Sequence, residues 1–351
     1  MTIFFSALLY FFIQSEVSDN TLLANKARWH GRTIQDSTGG VSFSWEGSEC
    51  NFQFSGATSV SATLKSSYTS GSARLRVVVD NIPLTNPFIV NPGDDKVFLL
   101  ASGLDASSKH NITLYAITDP ISMSWPIIAN GTITALSFSI DTGTFLDSPL
   151  QSKRRIRIIG DSITAGNQIS NITCEDDHYF AYGSLLCRFF DADCQTQAIS
   201  GKGIYQNCCD FNETMVEIGT RTVPGDISSV WDDSHFIPDA ILINLGTNDQ
   251  GKNNGSAWIA GFVQTYTSYL VSLARLHGNL NMPFFLGVGP ITHDYAPWVE
   301  AAAADAAALG LTNLHFISYN TQVDRCGHPD FNGHVLMFEA AQPVISSVMG
   351  W

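Results

Sequence analysis

Positive charge is scarce in this chain: 18 Lys and Arg stand against 32 Asp and Glu, a formal net charge of -14. Such a balance offers little to phosphate backbones or anionic lipid surfaces, so nucleic acid and acidic membranes are excluded as partners. No Cys-x-x-Cys pair occurs, which argues against a structural zinc site, and no spacing of His178, His235 or His293 suggests metal ligation. Internal repeats and low-complexity tracts are also missing. No apolar run is long enough for a transmembrane helix. The run TIFFSALLYFFI (2–13) is too short to span a bilayer and leads directly into polar SEVSDNT. Its length is that of a secretory signal core, and residues 1–18 are expected to be a cleaved signal peptide.

What is present fits that route. Asn-x-Ser/Thr sequons begin at Asn111, Asn130, Asn171, Asn212 and Asn254, each a glycosylation acceptor if exposed on a secreted protein. Seven cysteines (Cys50, Cys174, Cys187, Cys194, Cys208, Cys209 and Cys326) suit an oxidising compartment, with at least one left over. A length of 351 residues and a hydrophobic fraction of 44% suffice for two domains with substantial cores.

The patterning changes type once along the chain. From about 29 to 140, apolar residues alternate with polar ones in short runs, as at Val41, Phe43 and Trp45, then Val60, Ala62 and Leu64, then Leu75, Val77 and Val79. Gly and Asn punctuate these runs, and residues 19–145 are expected to form an all-β sandwich of jelly-roll type. Residues 146–153 read as a linker. From 154 to 351, solid apolar runs at 156–159, 197–199, 240–245, 284–288 and 314–317 alternate with helical stretches at 258–276, 296–309 and 333–349. That is the pattern of a three-layer α/β/α domain whose parallel strands are buried on both faces.

Four short motifs follow the predicted strands. The first strand runs into Gly160-Asp161-Ser162-Ile163-Thr164-Ala165-Gly166, which puts a serine where open α/β sheets bind ligands and where a following helix offers backbone N–H groups. The second runs into Ser200-Gly201-Lys202-Gly203, where glycine lets a backbone N–H approach a substrate oxygen. The third ends in Gly246-Thr247-Asn248-Asp249, and the Asn248 carboxamide can donate to a developing oxyanion. Near the C-terminus, Cys326-Gly327-His328-Pro329-Asp330 holds an imidazole suited to proton transfer at neutral pH. Each motif also makes an ordinary turn; their common edge and chain order carry the signal.

This ordered set resembles the SGNH (GDSL-type) hydrolase superfamily over about the last 200 residues. With the N-terminal sandwich, the whole chain resembles carbohydrate esterase family two. The resemblance implies deacetylation of xylan and related glucomannans. It assigns Ser162 as nucleophile, His328 as base, and the Ser162 N–H, Gly201 and Asn248 as oxyanion donors, with Gly203 as the alternative glycine. The superfamily's Asp-x-x-His pattern falls on Arg325, so the third catalytic member is open between Asp324, a main-chain carbonyl that completes a dyad, and Asp330.

Tyr205 and Trp298 are candidate aromatic platforms for a sugar ring, or core residues. The reading is thus a secreted, monomeric carbohydrate acetylesterase that needs no cofactor or metal and acts on acetylated plant polysaccharide. The rivals are an esterase for another acyl group and a glycan-binding protein with little turnover.

Overall fold

The computed structural model describes residues 20–119, 131–209, 212–250 and 255–351. The expected signal peptide and the sequons at Asn130 and Asn254 lie outside them. The N-terminal half is a sandwich of two sheets. One has the order Asp95–Ser102, Ser59–Ser66, Ile133–Ile140, Val41–Phe43, Thr33–Gln35, with Thr21–Leu23 also paired to Ile133–Ile140. The other runs Thr144–Leu146, Glu49–Ser55, Lys109–Ala116, Ala73–Val79, Ile82–Pro83. The period-two alternation determines the core, because successive side chains leave opposite faces of a strand. From Glu49–Ser55, Cys50, Phe52 and Phe54 all turn inward. Phe52 stacks on Phe138 of the facing sheet with ring centroids 4.3 Å apart.

The C-terminal half is built on five parallel strands, β1 (Arg154–Gly160), β2 (Ala192–Ala198), β3 (Ala240–Asn244), β4 (Phe284–Val288) and β5 (Leu314–Ser318). Their order is β2-β1-β3-β4-β5. The helices are α1 (Ser162–Ala165), α2 (Tyr182–Phe189), α3 (Met215–Ile218), α4 (Ser256–Leu276), α5 (Ala296–Ala308) and α6 (Phe331–Met349). Helices cover both faces of the sheet. Ile241 and Ile243 pack with α4 and α5, while Leu242 packs with α2 and α6 on the other side. Burial on both faces explains why these strands read as unbroken apolar runs. Among the described residues no helix is long and apolar enough to cross a membrane.

Two elements differ from the sequence reading. Helix α2 is not among the helical stretches expected, and β2 begins at Ala192 rather than near Gln197. β2 is polar (ADCQTQA) because it lies at the sheet edge against the sandwich, where its side chains meet polar partners. Gln195 Oε1 accepts from Arg32 Nε at 3.4 Å, Asp193 pairs with Arg28, and both Gln195 and Asp193 are buried. A second ion pair across the halves joins Arg76 to Asp177. Trp45 of the sandwich is buried in the core of the C-terminal half and donates its indole N–H to the Arg221 carbonyl at 3.1 Å.

Replacing Phe52 by Ala removes a ring stacked between the two sheets and should cost about 3–5 kcal/mol. Denaturant unfolding of the sandwich, followed by near-ultraviolet circular dichroism, checks this; an unchanged midpoint would show that the ring is not part of a packed core.

Candidate active site

The strand order reverses between β1 and β3, and an open parallel sheet has its ligand crevice at such a reversal, beyond the strands' carboxyl ends. Ser162 follows β1 and Asn248 follows β3, one on each side of that point. Gly201 follows β2.

The chain makes a sharp turn to present Ser162. Gly160 closes β1, and a Cβ there would lie 2.0 Å from Thr164 Oγ1, so only glycine lets α1 fold back over the strand end. Asp161 caps α1, its carboxylate accepting the Ile163 N–H at 3.0 Å. Gly166, at φ 74°, ends the helix after four residues. Ser162 is only 7% exposed.

His328 sits in the loop between β5 and α6. Its Nε2 lies 2.8 Å from Ser162 Oγ, and its Nδ1 lies 2.9 Å from Gln168 Oε1. An amide oxygen can only accept, so Nδ1 carries the proton and Nε2 presents its lone pair to the serine hydroxyl. Burial pushes the His328 pKa below the ordinary histidine value; the Cys326 carbonyl and the charge of Asp324 pull the other way without overcoming it.

The expectation of Asp324 as the acid behind His328 is corrected by this geometry. Asp324 works on the loop backbone: its carboxylate accepts the Cys326 N–H at 2.7 Å and its own N–H donates to the His328 carbonyl at 2.9 Å. Asp330, the other carboxylate considered, caps α6 by accepting the Gly333 N–H at 2.9 Å. Gln168 Oε1 lies at Nδ1 instead, and of the main-chain carbonyls the Cys326 carbonyl also acts on the ring by hydrogen bonding. No motif announces Gln168. The one hint is negative: Arg325 stands where the acid is expected, so the acceptor must come from elsewhere.

Two links bring Gln168 and His328 together across the chain. Cys174 and Cys326 form a disulfide. The Arg325 guanidinium donates to the carbonyls of Asn171, at 2.7 Å, and Ile172. Gln168 itself has φ 54°, and its N–H donates to Asp176 at 2.9 Å.

In the loop after β2, Gly201 is buried with φ 79°, and its N–H makes no hydrogen bond among the described residues. Gly203 is corrected as the alternative donor, since its N–H is spent on Asn207 Oδ1 at 3.0 Å. A Cβ at Gly203 would lie 1.9 Å from the Gln206 carbonyl oxygen, so this glycine serves loop packing. Asn248 Nδ2 donates to Asp161 Oδ2 and to the Lys202 carbonyl, both at 3.0 Å. For the carboxamide to serve an oxyanion, one of these bonds would have to be given up or shared.

Asp249, which sequence reading passed over, organises the loop between Gly201 and Cys208. It is fully buried and accepts the N–H groups of Ile204, Tyr205 and Gln206 at 2.7–3.0 Å. Burial outweighs those bonds and raises its pKa to about 6. Burial likewise raises Asp161 to about 7.

The two aromatic candidates sit differently. Tyr205 is 39% exposed and meets Trp258 edge-on at 5.6 Å. Trp298 is half-buried among Trp258 and Phe262, at 5.3 and 5.6 Å, where it packs α4 against α5. Among the described residues no group of three or more His, Cys, Asp or Glu side chains is arranged to hold a metal ion.

Comparison with known proteins bears on this arrangement. The model of the carbohydrate esterase 2 N-terminal domain matches residues 29–149, and that of the GDSL-like lipase/acylhydrolase family matches residues 156–341. The chain belongs to the GDSL-like lipase/acylhydrolase family. Its two domains together have the architecture of carbohydrate esterase family two. It is 28% identical over 342 residues to the cellulase/esterase CelE of Acetivibrio thermocellus, covering 92% of this chain but 39% of that protein. It is 22% identical to an acetylxylan esterase/glucomannan deacetylase of Cellvibrio japonicus, covering 92% of this chain and 88% of that one. A family two carbohydrate esterase from Clostridium thermocellum, solved in complex with cellohexaose, superposes with a TM-score of 0.81 at 26% identity, over 93% of this chain and 99% of that one.

The acceptor behind His328 is testable through pH. Glu in place of Gln168 would set a negative charge beside Nδ1, favour the imidazolium and raise the His328 pKa. Since the base must be neutral to act, the acid limb of kcat/KM should move to higher pH in Gln168→Glu. A limb that stays in place would mean that residue 168 does not face the ring.

Proposed function

We propose that this chain is a secreted carbohydrate acetylesterase that removes O-acetyl groups from plant polysaccharide through an acetyl-serine intermediate. The observation that carries the reading is the continuous line from Ser162 Oγ through His328 to Gln168, with contacts of 2.8 and 2.9 Å, at the reversal of the sheet. The names of the relatives supply the substrate class. Two disulfides, Cys174–Cys326 and Cys187–Cys194, suit an oxidising compartment and support secretion.

In the first half-reaction Ser162 Oγ attacks the acetyl carbonyl carbon while His328 Nε2 takes the hydroxyl proton. Negative charge gathers on the carbonyl oxygen, which faces the N–H groups of Ser162 and Gly201 and the Asn248 carboxamide. The intermediate collapses by breaking the bond to the sugar oxygen, which leaves with the proton from His328. In the second half, water attacks the acetyl-serine with His328 again as base, and acetate leaves. Throughout, Gln168 Oε1 holds the Nδ1 proton, so the ring keeps the tautomer that both halves require.

A partly exposed Tyr205 ring could stack on a pyranose next to the oxyanion loop, and we assign it that role ahead of Trp298, whose ring is engaged in helix packing.

Acetate release from acetylated xylan, acetylated glucomannan and an aryl acetate should vanish in Ser162→Ala. In Asn248→Ala it should fall by about 10²–10³ in kcat, or about 2.7–4 kcal/mol. Turnover by Ser162→Ala equal to the parent's would refute the serine mechanism. No release by the folded parent from any of the three would refute the acetylesterase reading.

A further inference from the structure

β2 is an edge strand, paired on one side only with β1. An edge strand leaves alternate N–H groups without a ladder partner, and buried N–H groups need one. Two acids of the sandwich meet that need. Glu46 Oε1 accepts the Ala198 N–H at 2.8 Å, and Asp119 Oδ2 accepts the Ser200 N–H at 2.8 Å. Ala198 ends β2 and Ser200 lies in the turn that follows, so the two carboxyls hold the strand's last residue and the start of the glycine turn. Glu46 is fully buried and Asp119 is 4% exposed. The next residue after Ser200 is Gly201.

Few other contacts fix the direction of the Gly201 N–H. Its carbonyl accepts from the Cys208 N–H at 3.0 Å, and the Lys202 N–H turns back to the Ile199 carbonyl at 3.2 Å. Asp119 is itself held in place: the Thr118 hydroxyl accepts the Arg74 N–H at 2.8 Å, and the Ile117 carbonyl accepts the His178 N–H at 3.1 Å. An oxyanion donor needs such support, because donors must already point at the place where charge will develop.

We propose that Asp119 and Glu46 are positioning residues of the sandwich that set the Gly201 N–H for catalysis, so that the N-terminal domain is part of the catalytic device and not only its packing partner. This rests on the reading of Gly201 as an oxyanion donor. The acids act as hydrogen-bond acceptors for these two N–H groups. Burial, followed by the Asp176 charge and against the Ser200 bonds, raises Asp119 to about 7. Burial and the neighbouring Asp119 raise Glu46 well above the ordinary carboxylate range. An amide oxygen should therefore replace either carboxyl at this place.

The test uses the full chain, with kcat and KM measured on an aryl acetate and affinity measured for an arylboronic acid, which forms a tetrahedral adduct with a serine hydroxyl. Asp119→Ala should lose about 10²-fold in kcat, the scale of a misplaced catalytic donor, with KM little changed and boronate affinity weakened in parallel. Asp119→Asn and Glu46→Gln, which keep an acceptor oxygen, should restore most of both. Thermal unfolding of each variant reports whether it is folded. Parental kcat in folded Asp119→Ala, or Asp119→Asn as impaired as Asp119→Ala, would overturn the proposal. Asn248→Ala separates the two levels: if it is impaired while Asp119→Ala is not, positioning fails and the oxyanion reading stands. If neither is impaired, the oxyanion reading itself fails.

Discussion

The arrangement depends on one hydrogen bond, from His328 Nδ1 to Gln168 Oε1. A histidine base needs an acceptor behind it, or the ring is free to turn and to carry its proton on the wrong nitrogen. Here the acceptor is neutral. A carboxylate would raise the base's pKa and stabilise the imidazolium that forms when the serine attacks; an amide fixes the tautomer and leaves the charge largely uncompensated. The direction of the His328 shift, downward through burial, agrees with that environment. The cost is weaker stabilisation of the imidazolium, and the gain is a base that stays neutral into mildly acidic solution.

The bond joins residues 160 positions apart, and much of the surrounding structure keeps them together. The Cys174–Cys326 disulfide and the Arg325 contacts bind the loop that carries His328 to the loop after Gln168. Asp324 and Asp330 stiffen the His328 loop from within through backbone N–H groups. Across the site the same economy recurs: Asp249, Asp119, Glu46 and Asp176 are spent on backbone donors. Burial raises the pKa of each above the ordinary carboxylate value, and each serves as an acceptor for backbone N–H groups.

This economy also marks what could be read from the sequence. The period-two runs of the sandwich and the apolar strands of the sheet were legible because each repeats a burial pattern that has only one interpretation at its length. Ser162, Gly201, Asn248 and His328 stand out in the sequence as a set because each follows a strand, in an order that is distinctive, and the structure brings Ser162 and His328 within 2.8 Å. Polar β2 was not, since its side chains are matched to Arg28 and Arg32 of another domain, and such pairing leaves no periodicity. Gln168 was invisible for a related reason: a glutamine in a loop acquires its role only from a partner 160 residues away. Asp324, three residues before Gly327, bonds the loop backbone at the Cys326 N–H and the His328 carbonyl, while Nδ1 of the ring meets Gln168.

The most direct test of the account is nitrogen NMR of the His328 ring in protein carrying labelled histidine, followed against pH, with His328→Gln to assign the signal. The account predicts a neutral ring with the proton on Nδ1 and titration below the ordinary histidine value. A neutral ring protonated on Nε2, or titration at or above that value, would contradict it.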